Sequence, residues 1–271
     1  MPAFLERAGV ELVAPVEGPD GEKDFAGPLE SLYRSLAARG YARVVSVHSA
    51  ACFSPALDAA RAAAEACDGV CEVEVVDSGS ASAATGMLID RIARYRYFDV
   101  DFHDAVAGVR LLAGQVRLLV VPSAKARFDR RRRRSHHRAG LLGRATASLR
   151  VRISGERGLY LLSRGEITQL ARATDLIELT SRLAHAMSAV AAGEGEVVYA
   201  LVEVGDARAL RAAEKPLDTN EFESRCLGTV RATPLTESVV GTGAVAVAFA
   251  PASAYYRSES ALEGLGSDSE D

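Results

Sequence analysis

Along the first half of the chain, apolar residues recur with two periods that take turns. Val10 to Val16 form a short apolar run, followed by the turn-rich "GPDGEKDFAGP". From Pro28 onward, Leu29, Leu32, Tyr33 and Leu36 fall at helical spacing, and Gly40 ends the repeat. "ARVVSVH" (Ala42 to His48) is short, β-branched and mostly apolar, which predicts a buried strand. Ser54-Pro55 reads as an N-cap followed by proline at the first helical position, opening "PALDAARAAAEAC". "CEVEVVD" predicts the next strand, and a helix follows from about Ser82 to Tyr95. A further helix over Asp101 to Leu112 turns Phe102, Val106 and Val109 inward. Strands alternating with helices predict a parallel sheet covered on both faces.

After "VRLLVVP", another strand, the pattern changes. "KARFDRRRRRSHHR" (Lys125 to Arg138) interrupts it with eight Lys or Arg residues and one Asp. "LRVRISGERGLYLLSR" reads as a hairpin, and Ile167 to Ala191 as a long helix. "GEVVYALVEV" is a strand, Ala207 to Ala213 a short helix, and "RCLGTVRATPLTESVVGTGAVAVAFAP" two strands around a loop. The fold class expected is therefore α/β in two domains. An N-terminal parallel-sheet α/β domain covers 1–115, a C-terminal α+β domain 116–254, and an acidic tail 255–271. The end "SESALEGLGSDSED" holds five acids and no base, and is expected to stay disordered.

Composition narrows this picture only a little. The chain has 271 residues, 48% of them hydrophobic and 25% charged, ordinary for a soluble globular protein. Aromatics make up 6% and tryptophan is absent, so small and aliphatic side chains build the core. A net charge of −4 gives no general pull toward nucleic acid, which is not expected as a partner. Cys67 and Cys71 have a spacing that suits a metal, but no second pair completes a site among Cys52, Cys67, Cys71 and Cys226. Reduced thiols and no metal or cofactor are expected. The first residues, "MPAFLERAGVELVAPVEG", lack a basic segment followed by a long apolar one. No apolar run reaches the roughly 18 residues of a membrane helix. A cytoplasmic setting without a membrane span follows as the expectation.

In a parallel sheet, ligands sit beyond the carboxyl ends of the strands. Two predicted strands end in hydroxyl-bearing turns: His48-Ser49 with Ser54 beyond, and Asp77-Ser78 with Ser80 and Ser82 beyond. Ser82 falls where the next helix starts, near free backbone N–H groups and the positive end of its dipole. These serines can hold a carboxylate or phosphate, or they can be caps and turn residues chosen for local reasons. No Gly-x-Ser-x-Gly, dinucleotide-binding or phosphate-loop spacing occurs, so no catalytic constellation is visible. His136 and His137 are adjacent rather than one helical turn apart, and so make poor joint ligands. His48 is an acid–base candidate or a half-buried structural histidine. The arginine run, Arg130 to Arg134 at its centre, is either a grip for phosphates or a solvated loop that docks an acidic partner.

These turns resemble the DegV family of bacterial fatty-acid-binding proteins. "VVSVHSAACFSPALDAA" is similar to the family's strand, serine-rich turn and helix. "VEVVDSGSASAATGMLI" is similar to its next unit, with Asp77, Ser78, Ser82 and Gly86 in place. "LERAGVELVAPVEGPDGE", "LESLYRSLAARGYARVVSV" and the closing "TESVVGTGAVAVAFAP" extend the likeness, in order, to about Pro251. The resemblance implies two α/β domains with an acyl chain buried between or within them. It also implies a carboxylate held by hydroxyls of the two turns and by a histidine of a C-terminal loop. The implied role is a non-catalytic carrier presenting a fatty acid to a separate fatty-acid kinase.

The chain departs from that pattern in several places. Phe53-Ser54-Pro55 stands where the family has Ser-Gly-Thr, and Gly241-Thr242-Gly243-Ala244 lacks the histidine. Phe25-Ala26-Gly27 replaces a Thr-Ser-x-Pro turn, the arginine run replaces a Gly-Arg-Ile segment, and the chain reads as a divergent member shortened at its N-terminus. Each lost hydrogen bond to a buried carboxylate costs on the order of 1–3 kcal/mol. The expected ligand-binding residues are Ser78, Ser80 and Ser82, with Ser49, Ser54 and Thr242 as secondary candidates. Two readings stay open: a binder of fatty acid or a similar apolar carboxylate, and a degenerate member that serves as a structural or regulatory interaction protein. An unpaired sheet edge left by the missing strand is compatible with homodimerisation.

Overall fold

The structure, a computed structural model, describes residues 9–17, 23–123 and 156–266. It divides into two units. The first comprises the described residues up to Ser78, Thr85–Gly114 and 257–266; the second comprises Gly79–Ala84 and Gln115–Tyr256.

In the first unit, residues 10–15 lie outside regular structure with Leu12 and Val13 exposed, so the run from Val10 forms no strand before Val16. Two short strands, β1 (Val16–Glu17) and β2 (Lys23–Asp24), pair antiparallel. Helix α1 (Ala26–Ala38) starts two residues before Pro28, because Asp24 Oδ1 accepts from the Ala26 and Gly27 N–H groups. It buries Leu29, Tyr33 and Leu36 and ends at Gly40, whose φ of 91° is one that glycine adopts without strain. Strand β3 (Arg43–His48), helix α2 (Ala56–Ala66) and strand β4 (Glu72–Asp77) form the expected strand–helix–strand unit. β3 and β4 run parallel in register, from Arg43 opposite Glu72 to His48 opposite Asp77. One face, with Val44, Val73 and Val75, packs on Leu29 and Tyr33 of α1 and on Ala60 and Ala63 of α2.

Helix α3 (Ala83–Tyr97) and helix α4 (Phe102–Ala113) follow. Asp101 caps α4 by accepting from the His103 and Asp104 N–H groups, and α4 buries Val106, Val109 and Leu112. Arg110 and His103 of α4 reach Glu74 and Glu72, which puts α4 against the second face of the strand pair. The tail corrects the expectation of disorder as far as Gly266. Leu262 is fully buried, and a Cβ built on Gly108 would meet its Cδ2 at 2.6 Å. Asp104 accepts from the Gly264 and Gly266 N–H groups. Acidity alone does not keep a segment in water when one leucine finds an apolar seat and a carboxylate takes up its backbone donors.

The second unit is a six-stranded sheet. Its strands are β5 (Arg117–Val121), β6 (Arg157–Ser163), β7 (Glu166–Ala173), β8 (Val197–Glu203), β9 (Ser224–Arg231) and β10 (Val245–Pro251), in the order β7-β6-β5-β10-β8-β9. All neighbours are antiparallel except β8 and β9. β10 is buried along its whole length between β5 and β8. Helices α5 (Leu176–Glu194) and α6 (Ala207–Thr219) bury Leu179, Leu183, Met187 and Ala213 with Leu119, Val121, Tyr199, Leu201, Val247 and Phe249. Those strand positions alternate, as one buried sheet face requires.

Ile167 to Ala173, the expected start of the long helix, lies in strand β7 instead. Arg164 and Gly165 take left-handed φ values of 52° and 78°, and Ser163 pairs with Glu166, so a two-residue turn sends the chain back along β6. The helix begins only after Asp175, whose side chain caps Ile177 N–H. The loop after β9 holds a short helix, α7 (Pro234–Val240), capped by Thr233, and α8 (Ala252–Tyr255) follows β10. The arginine run at 125–138 lies outside the described residues. Among the described residues, no helix is long and apolar enough to cross a membrane.

Candidate functional site

The parallel pair β3–β4 carries the sequence's two serine-bearing turns at its carboxyl end. Ser78 N–H donates to His48 C=O at 2.9 Å, extending the ladder one step past Asp77. By strand alternation, Ser49 and Ser78 belong to the face that meets α4, whereas His48 and Asp77 belong to the face that meets α1. The hydroxyls gather around a residue the sequence reading passed over. Thr85, buried on the first turn of α3, lies 3.0 Å from Ser78 Oγ and 3.4 Å from Ser49 Oγ. Its only sequence signal was a threonine facing the strand ends in the turn of helix that follows them.

The other expected ligands are placed differently. The Ser80 hydroxyl is fully buried and donates to Leu162 C=O at 3.2 Å, inside the second unit. Ser54 is buried and accepts from Ala56 N–H at 3.3 Å, a capping role even though regular helix starts at Ala56. Thr242 is exposed, and its hydroxyl donates to Glu237 Oε1 at 2.7 Å. Ser82 stands apart from these. It is half-buried, its backbone takes a left-handed φ of 55°, and its hydroxyl makes no hydrogen bond among the described residues. A non-glycine residue held in that region stores of order 1–3 kcal/mol and is concentrated at functional turns.

His48 serves the opposite face. Its Nε2 lies 2.7 Å from Ser46 Oγ, which lies 2.6 Å from the buried Tyr33 hydroxyl of α1. Burial pushes the imidazole from 6.5 down to about 4, against the opposing attraction of Asp77. The ring is therefore neutral at pH 7 and belongs to a polar tie between α1 and β3. Burial also pushes the Tyr33 hydroxyl up, with the Ser46 hydrogen bond acting against it. None of the four cysteines is in a disulfide. Glu72, Glu74 and His103 bring their ligand atoms within 4.8 Å of one another. Glu74, half-buried, is bonded to Arg110, and Glu72 and His103 are exposed, so the group is a surface ion-pair cluster.

The DegV family model, described as "Uncharacterised protein, DegV family", matches residues 26–252. No curated protein matches the chain. Among solved structures, a DegV family protein of Corynebacterium glutamicum is 20% identical, with a TM-score of 0.73 over 93% of each chain. A fatty-acid-binding DegV family protein of Thermus thermophilus is 20% identical, with a TM-score of 0.68 over 83% of this chain and 76% of that one. DegV of Bacillus subtilis, a fatty-acid-binding protein, is 17% identical, with a TM-score of 0.66 over 85% and 77%. At these identities the likeness is one of fold. With the family match spanning the greater part of its length, the chain belongs to the DegV family.

Proposed function

We propose that the chain is a non-catalytic carrier that binds a fatty acid or similar apolar carboxylate. The head group is held by hydroxyls at the carboxyl ends of β3 and β4 and at the start of α3. The observation that carries this reading is the gathering of the Ser49 and Ser78 hydroxyls on Thr85, where the two parallel strands end. Ser82, whose hydroxyl has no hydrogen bond among the described residues, is a separate candidate donor. Solved relatives of the same fold from Thermus thermophilus and Bacillus subtilis bind fatty acids, which supports the ligand class. In this reading the partner is a fatty-acid kinase subunit that takes the presented carboxylate.

Native mass spectrometry after gentle purification, followed by lipid extraction, tests the reading. A stoichiometric fatty acid, or uptake of added palmitate, is expected. A bare chain that also takes up no palmitate overturns it.

A further inference from the structure

We propose that Cys67 and Cys71 form a reversible disulfide that braces the turn between α2 and β4, made by exchange with a low-molecular-weight disulfide. The inference is independent of the acyl-binding reading, since this turn lies at the opposite end of β4 from Ser78. Cys67 is the residue that ends α2, and Cys71 directly precedes β4. Val70 N–H donates to Cys67 C=O at 2.9 Å, and Cys71 N–H donates to the same oxygen at 3.4 Å. A turn closed by these bonds keeps its two end residues within the Cα span of about 4.4–6.8 Å that a disulfide bridges. Both side chains leave the turn toward α1. The Cys67 thiol donates to Glu30 C=O at 3.9 Å and the Cys71 thiol to Tyr33 C=O at 3.8 Å, carbonyls three residues apart on one face of that helix. Both also pack into one apolar cluster with Tyr33, Ala60 and Ala63.

The two thiols differ in access, which sets their order of reaction. Cys71 is half-buried, whereas Cys67 is fully buried. Burial pushes the Cys71 thiol up, Cys67 adds to this and Arg34 opposes it, so exchange runs through a small thiolate fraction. The Cys71 thiolate attacks one sulfur of the small disulfide, displaces one small thiolate and leaves a mixed disulfide on Cys71. The Cys67 thiolate then attacks the Cys71 sulfur, forms the Cys67–Cys71 bond and displaces the second small thiolate. The protons of the two cysteines end on the two released thiols, and the small disulfide is the species reduced. The closed bond gives up two weak S–H···O contacts with α1 and ties the end of α2 to the start of β4.

Incubation of the folded full chain with glutathione disulfide, followed by unfolding, alkylation of the remaining thiols, tryptic digestion and mass spectrometry, tests the proposal. No Lys or Arg lies between Arg61 and Arg91, so one peptide, 62–91, carries both cysteines. The expected product is that peptide unalkylated and lighter by two hydrogen atoms, restored by dithiothreitol, with Cys67→Ala halting at a glutathione adduct on Cys71. So short a loop can also close in an unfolded chain, so the bridging constant against glutathione is measured in buffer and in urea. The fold is expected to raise it at least about tenfold, because it holds the two ends together before the bond forms. A doubly alkylated wild-type peptide, or an adduct that persists on Cys71 without the bridge, overturns the proposal. A smaller gain in buffer over urea also overturns it and makes the two thiols packing residues only. The wild-type measurements decide the matter even where Cys67→Ala fails to fold.

Discussion

Replacing His48 by glutamine removes a titrating group from the α1–β3 interface while keeping a side chain able to bond Ser46. In the folded protein the imidazole is neutral down to about pH 4, whereas in the unfolded chain it charges near its ordinary 6.5. Below pH 6.5 the unfolded state thus binds more protons than the folded one, and acid favours unfolding. The contribution of His48 is fully present above pH 6.5 and is lost as pH falls toward about 4. Over that window the linkage amounts to about 3 kcal/mol, at about 1.36 kcal/mol per pH unit. Urea denaturation of wild type and His48→Gln at stepped pH from 7.5 to 4 measures it, because carboxylates common to both proteins cancel in the difference. Wild type is expected to lose about 3 kcal/mol more than the variant over the window. Parallel stability profiles would refute the desolvated, neutral ring.

Ser82→Gly and Ser82→Ala separate strain from binding. Both lose the hydroxyl and are expected to weaken palmitate uptake, but only glycine relieves the left-handed backbone, so urea denaturation should find it about 1 kcal/mol more stable than the alanine variant. Alanine proving at least as stable as glycine would contradict that backbone conformation. Leu262→Ala removes the anchor of the tail on Gly108, and is expected to destabilise by about 2–3 kcal/mol and to speed tryptic cleavage after Arg257. Unaltered proteolysis would mean that the anchor does not hold the segment. Palmitate uptake by the wild-type chain completes the set.

The strand–helix–strand run from Arg43 to Asp77 was legible because period and punctuation agree: β-branched runs, an alanine-rich helix and serine-bearing turns all point to one topology. β7 was not legible by the same means. Ile167, Leu170 and Ala171 fit a helical face as well as an extended one, and the outcome rests on two backbone angles at Arg164 and Gly165. The start of α1 was misplaced for a similar local reason. Asp24 caps the helix from outside the apolar repeat, where periodicity carries no information.

What the sequence determined by itself is the order of elements from Arg43 to Ala113, the two serine turns and the family they resemble. Those features are written in short-range spacing and local backbone preference. Only the tertiary structure decided which hydroxyls meet. Ser49 and Thr85 are 36 residues apart, and they touch because parallel pairing brings two strand ends side by side and lays the first turn of α3 across them. It likewise sent Thr242 to Glu237 and His48 to the far face, although both lie in the turns or strand ends that the sequence had singled out. Strand alternation and the choice of neighbouring helix separate residues adjacent in sequence, and no spacing rule along the chain contains the partner they turn toward.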